Sequence, residues 1–283
     1  MVRHVLVTGA STGIGAATVE HLAGPGWTVH AGVRKLADGA RLVESHGDGV
    51  RPLLLDVTEP DQIAAAVEQL RSDSPGGLDG VVNNAGIVAA GPVELLRDDE
   101  WRSVFDVNVF GAVAVTRATL PLVRRARGRF VFVGSISGRT SAPTLAAYSS
   151  SKHAIEAICE SLRHELAPQG IKVVLLEPGA VVTPIWDKAD AEVDDLVARF
   201  DDETRPLYEW MRPMGERMIA DGREHGVAAS EVAELVERAL TAVRPRARYV
   251  IGTQAKAGAA ISRFAPDWLR DRLLGAATGA PRR

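Results

Sequence analysis

Short apolar runs alternate along the chain with longer stretches whose apolar positions recur every three or four residues. His4-Val5-Leu6-Val7-Thr8 is the first run, and it stops at Gly9. From Gly13 the pattern turns helical, with Ile14, Ala17 and Leu22 on one face. Trp27–Val33 reads as a second strand and Leu53–Leu55 as a third, ending at Asp56. Ile63, Ala66, Val67 and Leu70 follow at helical spacing. Gly80-Val81-Val82 leads into Asn83, and a long helix is expected from about Trp101 to Arg127. Arg129–Val133 and Ile171–Leu176 are two more strands. Val232, Leu235, Val236, Ala239 and Leu240 mark a late amphipathic helix, and Arg248–Ile251 the last strand.

Strands that alternate with helices join through right-handed crossovers into a parallel sheet covered on both faces. The expected fold class is therefore α/β, a doubly wound parallel sheet of the Rossmann type. Such a sheet takes its ligand beyond the carboxyl ends of its strands. The rhythm lapses between about Thr183 and Ala229. We read residues 184–229 as an insertion within a single domain spanning residues 1–283, with 253–283 as a carboxyl-terminal extension.

Composition narrows the class. Hydrophobic residues make up 46% and charged residues 24% of 283, and the net charge is only −3. That balance suits a globular protein with a sizeable core and gives no sign of a nucleic-acid partner. Cys159 is the one cysteine, so no internal disulfide can form, and a cytoplasmic setting is expected. No stretch reads as an uncharged apolar membrane span. No Cys/His cluster offers a metal site.

Two features carry candidate chemistry. Thr8-Gly9-Ala10-Ser11-Thr12-Gly13-Ile14-Gly15 joins the first strand to the first helix. Glycines let backbone approach a pyrophosphate, and a helix amino terminus offers free N–H groups and partial positive charge. Tyr148 and Lys152 stand four apart, so a helix puts both on one face. An ammonium beside a phenol, aided by an oxidised nicotinamide, would lower the phenol's pKa toward neutrality and suit it to proton transfer.

The glycine turn resembles the T-G-x-x-x-G-x-G variant of the short-chain dehydrogenase/reductase family, and other motifs follow in that family's order and spacing from about residue 3 to 185. Ser135, thirteen residues before Tyr148, matches the serine that binds the substrate oxygen. Asn83-Asn84-Ala85-Gly86 matches the signature beside the cofactor. Asn108 matches the asparagine that holds a water of the proton relay. Asp56-Val57 resembles the pair that contacts the adenine. Pro178-Gly179, with Val181 and Thr183, resembles the segment that holds the nicotinamide carboxamide. The resemblance implies hydride transfer between a nicotinamide cofactor and an alcohol or carbonyl compound. Catalysis would fall to Ser135, Tyr148, Lys152 and Asn108. Gly9, Ser11, Thr12, Gly13, Ile14, Gly15, Arg34, Asp56, Val57, Asn84, Ala85 and Gly86 would join Tyr148, Lys152 and the later segment in holding the cofactor.

Cofactor choice and substrate follow less directly. Val33 stands where NAD-preferring members carry Asp, and Arg34 could pair with a 2′-phosphate. Thr12, where many NADP-preferring relatives are basic, counts the other way. The expectation is NADP, with NAD possible. The insertion holds Trp186, Leu196, Phe200, Tyr208, Trp210 and Met214, and Trp186 and Trp210 are expected to wall in a bulky hydrophobic substrate such as a steroid, a polyketide-like ring or an aryl ketone. A looser resemblance to the 17β-hydroxysteroid and retinol dehydrogenase branch points the same way. The resemblance also implies a homodimer or homotetramer through the long helix and the Tyr148 helix. The competing readings are a non-catalytic cofactor-sensing or scaffold protein on the same fold, and a nucleotide-sugar epimerase. His153, His164, Ser149, Ser150, Ser151, Cys159 and the arginines from Arg124 to Arg129 are read as surface or packing residues.

Overall fold

The computed structural model describes residues 2–24 and 26–279, so the last four positions of the carboxyl-terminal extension lie outside the described residues. Among the described residues nine strands form: β1 Arg3–Thr8, β2 Trp27–Val33, β3 Val50–Leu54, β4 Gly80–Asn83, β5 Arg129–Val133, β6 Lys172–Pro178, β7 Val181–Val182, β8 Val227–Ala228 and β9 Arg248–Ile251. Seven of them make one sheet in the order β3-β2-β1-β4-β5-β6-β9, parallel at every pairing. β7 and β8 pair separately.

The sequence explains why the sheet is covered on both faces. Along β1, Val5 and Val7 point into one apolar layer while Leu6 points into the other. β5 splits the same way, with Val131 and Val133 on one side and Phe130 and Phe132 on the other. Such strands are buried throughout, so their apolar runs are continuous and not alternating. The first layer packs under α1 (Gly13–Leu22) and α10 (Ala229–Thr241), the helix whose Val232, Val236, Ala239 and Leu240 were legible as a stripe. The second packs under α3 (Pro60–Asp73), α5 (Ala112–Ala126) and α6 (Ala146–Leu166).

The order reverses between β1 and β4, whose carboxyl ends release Gly9 and Asn84 side by side. A ligand crevice opens at such a reversal. The remaining helices are α2 (Leu36–His46), α4 (Asp98–Phe105), α7 (Ile185–Ala198), α8 (Arg205–Tyr208), α9 (Met211–His225), α11 (Thr253–Phe264) and α12 (Asp267–Thr278).

Three sequence expectations need correction. The third strand starts earlier, at Val50, and closes at Leu54, although Leu55 N–H still reaches Val33 O at 2.8 Å. The long helix begins at Asp98 and is interrupted by a π-helical turn over Asp106–Gly111. Hydrophobic spacing does not report a one-residue insertion of that kind. The stretch Asp98–Ala126 is also long and apolar enough to cross a membrane by composition, contrary to the sequence reading; half of its most apolar window is buried within the protein.

His30, wholly buried on β2, lies 3.2 Å from His4 through ring nitrogens, and burial lowers its pKa to about 4. The unfolded chain therefore binds a proton near pH 6.5 that the native chain refuses. His30 adds stability above that pH and loses it as the pH falls from 6.5 toward 4. Glu156 has the opposite slope, because its carboxyl keeps a proton to higher pH when folded than when unfolded. Wild type minus His30→Gln isolates the histidine. By urea unfolding, that difference is expected to shrink by about 2 kcal/mol between pH 7 and pH 5. Equal differences at the two pH values would reject this account.

Candidate active site

The glycine turn is held from behind. Thr8 Oγ1 accepts the Asn84 and Ala85 N–H groups, each at 3.0 Å. Asn84 Nδ2 donates to Thr8 O at 2.9 Å and Gly9 O at 3.1 Å. Gly9 and Gly13 have φ of 64° and 56°, values that favour glycine. Gly13 lies against Thr183, whose Cγ2 would be 3.3 Å from an added Cβ. The turn and the segment after Pro178 thus face each other across the crevice. Thr12 precedes α1 without a side-chain cap, leaving the first N–H groups of the helix to other partners. Ser11 and Ile14 are half-buried beside them. A dinucleotide pyrophosphate fits this cradle.

The flanking positions fit as well. Asp56 Oδ1 accepts from Thr58 N at 3.0 Å and Oγ1 at 2.8 Å, fixing the carboxylate at the end of β3. Val57 is buried and so close to Gly111 that a Cβ there would meet its Cγ2 at 2.6 Å. Arg34, exposed after β2, has no ion pair among the described residues. Gly86 is open toward the catalytic groups, with Lys152 Nζ 3.7 Å and Asn108 Oδ1 3.3 Å from its would-be Cβ. Gly179 N–H bonds Ile251 O at 3.0 Å, which anchors the loop after Pro178 to β9.

α6 carries Tyr148 and Lys152 on one face, with the ammonium 5.6 Å from the phenol ring centre. Lys152 Nζ donates to Val133 O at 2.9 Å, and burial lowers its pKa to about 8. Ser135 caps a short 3-10 turn, Ile136–Gly138, by accepting Ser137 N–H at 3.1 Å. Burial raises the Tyr148 pKa, and the Ser135 hydroxyl, a hydrogen-bonding neighbour, pulls it back. Burial thus sets the direction in the protein alone, whereas the expected lowering involved an oxidised nicotinamide together with Lys152.

Asn108 is buried beside these groups. Its Oδ1 accepts Ile87 N–H at 2.8 Å, and its Nδ2 donates to Ile87 O at 2.9 Å and Ser151 Oγ at 3.0 Å. The amide is spent clamping the loop after β4 to α6.

The insertion is packed more tightly than a free apolar wall. Trp186 Nε1 donates to Val181 O at 2.8 Å, and its ring fills the space beside Gly222, where a Cβ would be 2.4 Å away. Trp186 therefore staples α7 to α9. Trp210, half-buried at the start of α9, donates to Leu207 O at 3.0 Å. Arg199 grips Glu100 with two bonds of 2.9 Å, and Tyr208 OH reaches Glu94 at 2.5 Å. These contacts fasten the insertion to the loop and helix that follow β4.

Sequence reasoning passed over Thr8 as a hydrogen-bonding hub, and also Arg139, Glu156, Glu177 and Arg248. Thr8 opens the glycine motif, but its hydroxyl's partners and those of the other four lie far away in the chain. Of the residues set aside, Cys159 is buried and Arg124 and Arg125 bond Gln169 and Pro75 O, whereas Arg129 lies on β5 rather than at a helix end and bonds Ala239 O.

A profile of the short chain dehydrogenase family matches residues 3–194. The chain belongs to the short-chain dehydrogenase family. Full-length relatives agree. An NADPH-dependent 3-dehydrocapnine reductase of Ornithobacterium rhinotracheale is 32% identical over 96% of both chains. Retinol dehydrogenase 16 of Mus musculus is 34% identical, covering 96% of this chain and 87% of its own. Among solved structures, a short-chain dehydrogenase from Streptomyces avermitilis is 29% identical and superposes with a TM-score of 0.79 over 96% of this chain and 94% of its own. This short-chain dehydrogenase is an NAD(P)-dependent oxidoreductase acting on CH–OH and C=O groups.

Proposed function

We propose that this enzyme reduces bulky hydrophobic ketones, or oxidises the matching secondary alcohols, with NADP(H) preferred. The observation that carries the reading is the meeting of Ser135, Tyr148 and Lys152 beside the Gly9–Gly15 turn, beneath an insertion that buries Leu196, Phe200, Met214 and Ile219. Residues 184–229 act as a lid on a single domain, and an enclosed site favours clean hydride transfer over water. When bound, the nicotinamide supplies or accepts the hydride. Ser135 orients the substrate oxygen, and Tyr148 gives it a proton in reduction or takes one in oxidation. Lys152 binds ribose hydroxyls and supplies positive charge near the phenol.

Similarity to an NADPH-dependent reductase and to retinol dehydrogenases supports both parts of this reading. The test is NADPH consumption with a graded set of ketones. Steroid and aryl ketones are expected to give higher kcat/KM than short hydroxy acids or sugars, and the reverse order would sink the substrate class.

Arg34 decides the cofactor. Its unpaired guanidinium after β2 would pair with a 2′-phosphate, a charge-assisted bond of about 1.5–3 kcal/mol. Arg34→Ala should lower kcat/KM for NADPH about tenfold or more and leave NADH nearly unchanged. Wild-type efficiency with NADH equal to or above that with NADPH would reject the preference.

We also propose a homodimer. Phe110 is 62% exposed, in an apolar groove of about 1050 Å³ between α3 and α5 that includes Val57, Ile63 and Ala114. Light scattering at micromolar concentration should give twice the chain mass. The buried lone Cys159 fits a reducing cytoplasm.

A further inference from the structure

Behind the catalytic groups lies a set of charges that the reaction scheme does not use. Arg139 ends the short turn that begins at Ser135. Its Nε and Nη2 bond the two oxygens of Glu177, both at 2.7 Å. Glu177 is wholly buried on β6, one residue before Pro178. Arg248 on β9 bridges the second carboxyl, donating to Glu156 Oε2 at 2.5 Å and to Glu177 Oε1 at 3.3 Å. Glu156 stands on α6 one turn after Lys152. Its Oε1 is buried against Gly138, where an added Cβ would lie 2.9 Å from Oε1 and 3.0 Å from Lys152 O.

Two carboxyls and two guanidiniums therefore tie together the three elements that carry Ser135, the Tyr148–Lys152 pair and the Pro178–Gly179 loop. We propose that Arg139, Glu177, Arg248 and Glu156 are positioning residues, a buried ionic frame that sets Ser135 against Tyr148.

The physical case is one of leverage. The Ser135 turn is three residues long, and its backbone packs on α6 only because Gly138 has no side chain. A bidentate arginine fixes both direction and distance, as a lysine cannot. Displacement of a catalytic group by about 1 Å can cost roughly a hundredfold in rate. Removing one member of a buried ion pair also strands its partner's charge.

The frame has one adjustable member. Burial and the facing Glu177 push Glu156 upward from the usual carboxylate range, while Arg139 and Arg248 hold Glu177 down. The other charged groups near Glu156 are Glu160, which Arg248 reaches at 3.7 Å, and His153 and Arg263, which line the recess beside it. Ser262 Oγ closes the recess by donating to Arg139 O at 2.8 Å. Loss of the Glu156 proton sets two carboxylates against each other and loosens the grip on the Ser135 turn.

The frame rests on the oxidoreductase reading for its purpose, but its test does not depend on a substrate. Carbon-13 resonances of labelled Glu and Tyr would be followed against pH in the free full-length enzyme. The Tyr148 ring is expected to shift with the same midpoint as Glu156, above the ordinary carboxylate range, and to lose that response in Glu156→Gln. A Tyr148 resonance indifferent to this titration, or a midpoint that survives in Glu156→Gln, overturns the proposal. Kinetics supply the second arm, with NADPH and an aryl ketone. Arg139→Lys should lower kcat about tenfold or more, with KM and NADPH affinity nearly unchanged. A folded Arg139→Lys enzyme with lowered melting temperature and unaltered kcat would show a merely structural role and overturn the frame. If the wild type turns over no ketone, the proposed function falls, while the titration still decides the frame.

Discussion

Tyr148→Phe is expected to remove all but about a hundredth to a ten-thousandth of turnover, the usual worth of a positioned proton donor. The change deletes one oxygen from a ring already packed in place, so melting temperature and NADPH affinity should stay near wild type. What disappears is the group that Ser135 faces. Retention of more than about a tenth of wild-type activity, about 1.4 kcal/mol of barrier, would show that another donor does the work. Lys152→Ala should differ in kind. It removes the proposed ribose ligand and frees Val133 O, the partner of its ammonium at 2.9 Å, so affinity and rate should both fall. The pH profiles should separate the two groups. Burial holds the Tyr148 phenol protonated through neutrality, so it remains a competent donor, while Lys152, lowered to about 8, keeps its charge only below that pH. Reductive kcat/KM for the free enzyme should therefore decline as pH rises through about 8, and a profile flat to pH 10 would contradict that assignment.

The parts of this enzyme that were legible in the sequence are those that act locally. β1 and β5 are short and apolar on both faces, so the run itself announces a buried parallel strand. The Gly9–Gly15 turn follows a strand and opens a helix, and the spacing of Tyr148 and Lys152 is one helical turn. α2 gave little signal because Gly39 is its one buried residue. The π-helical turn at Asp106–Gly111 was invisible because one extra residue per turn leaves the apolar spacing almost intact.

Contacts between distant residues were the other blind spot. Trp186 was legible as a large aromatic residue of the insertion, but its packing partner was not. Its partner is a gap at Gly222, thirty-six residues on, and an absent side chain leaves no mark in a hydrophobic pattern. Asn108 was legible as a position, but the contacts of its amide were not, since it meets Ile87 and Ser151 only after folding. Glu177 reads as one polar interruption in an apolar strand. It became intelligible once Arg139 and Arg248 were seen to face it.

Gly15→Ala tests the cradle itself with a single methyl group. A Cβ at position 15 would stand 2.1 Å from Gly9 O and 2.6 Å from Asn84 Nδ2. Neither neighbour can yield alone. Gly9 O accepts the Asn84 amide, and Asn84 is held in turn by Thr8. Either α1 moves away from the turn or the Thr8–Asn84 clamp opens, and overpacking of this kind costs about 1–3 kcal/mol. Both responses also shift the uncapped N–H groups of α1, the donors expected to meet the pyrophosphate. Gly15→Ala should therefore lower the melting temperature and weaken NADPH binding about tenfold or more, measured by calorimetry without any substrate. Gly24→Ala is the matched control, because a Cβ there meets nothing within 4 Å; it should bind NADPH as wild type does. If Gly15→Ala also bound NADPH at wild-type strength, the glycine turn would not be the dinucleotide cradle, and the site would have to be sought elsewhere along the switch point.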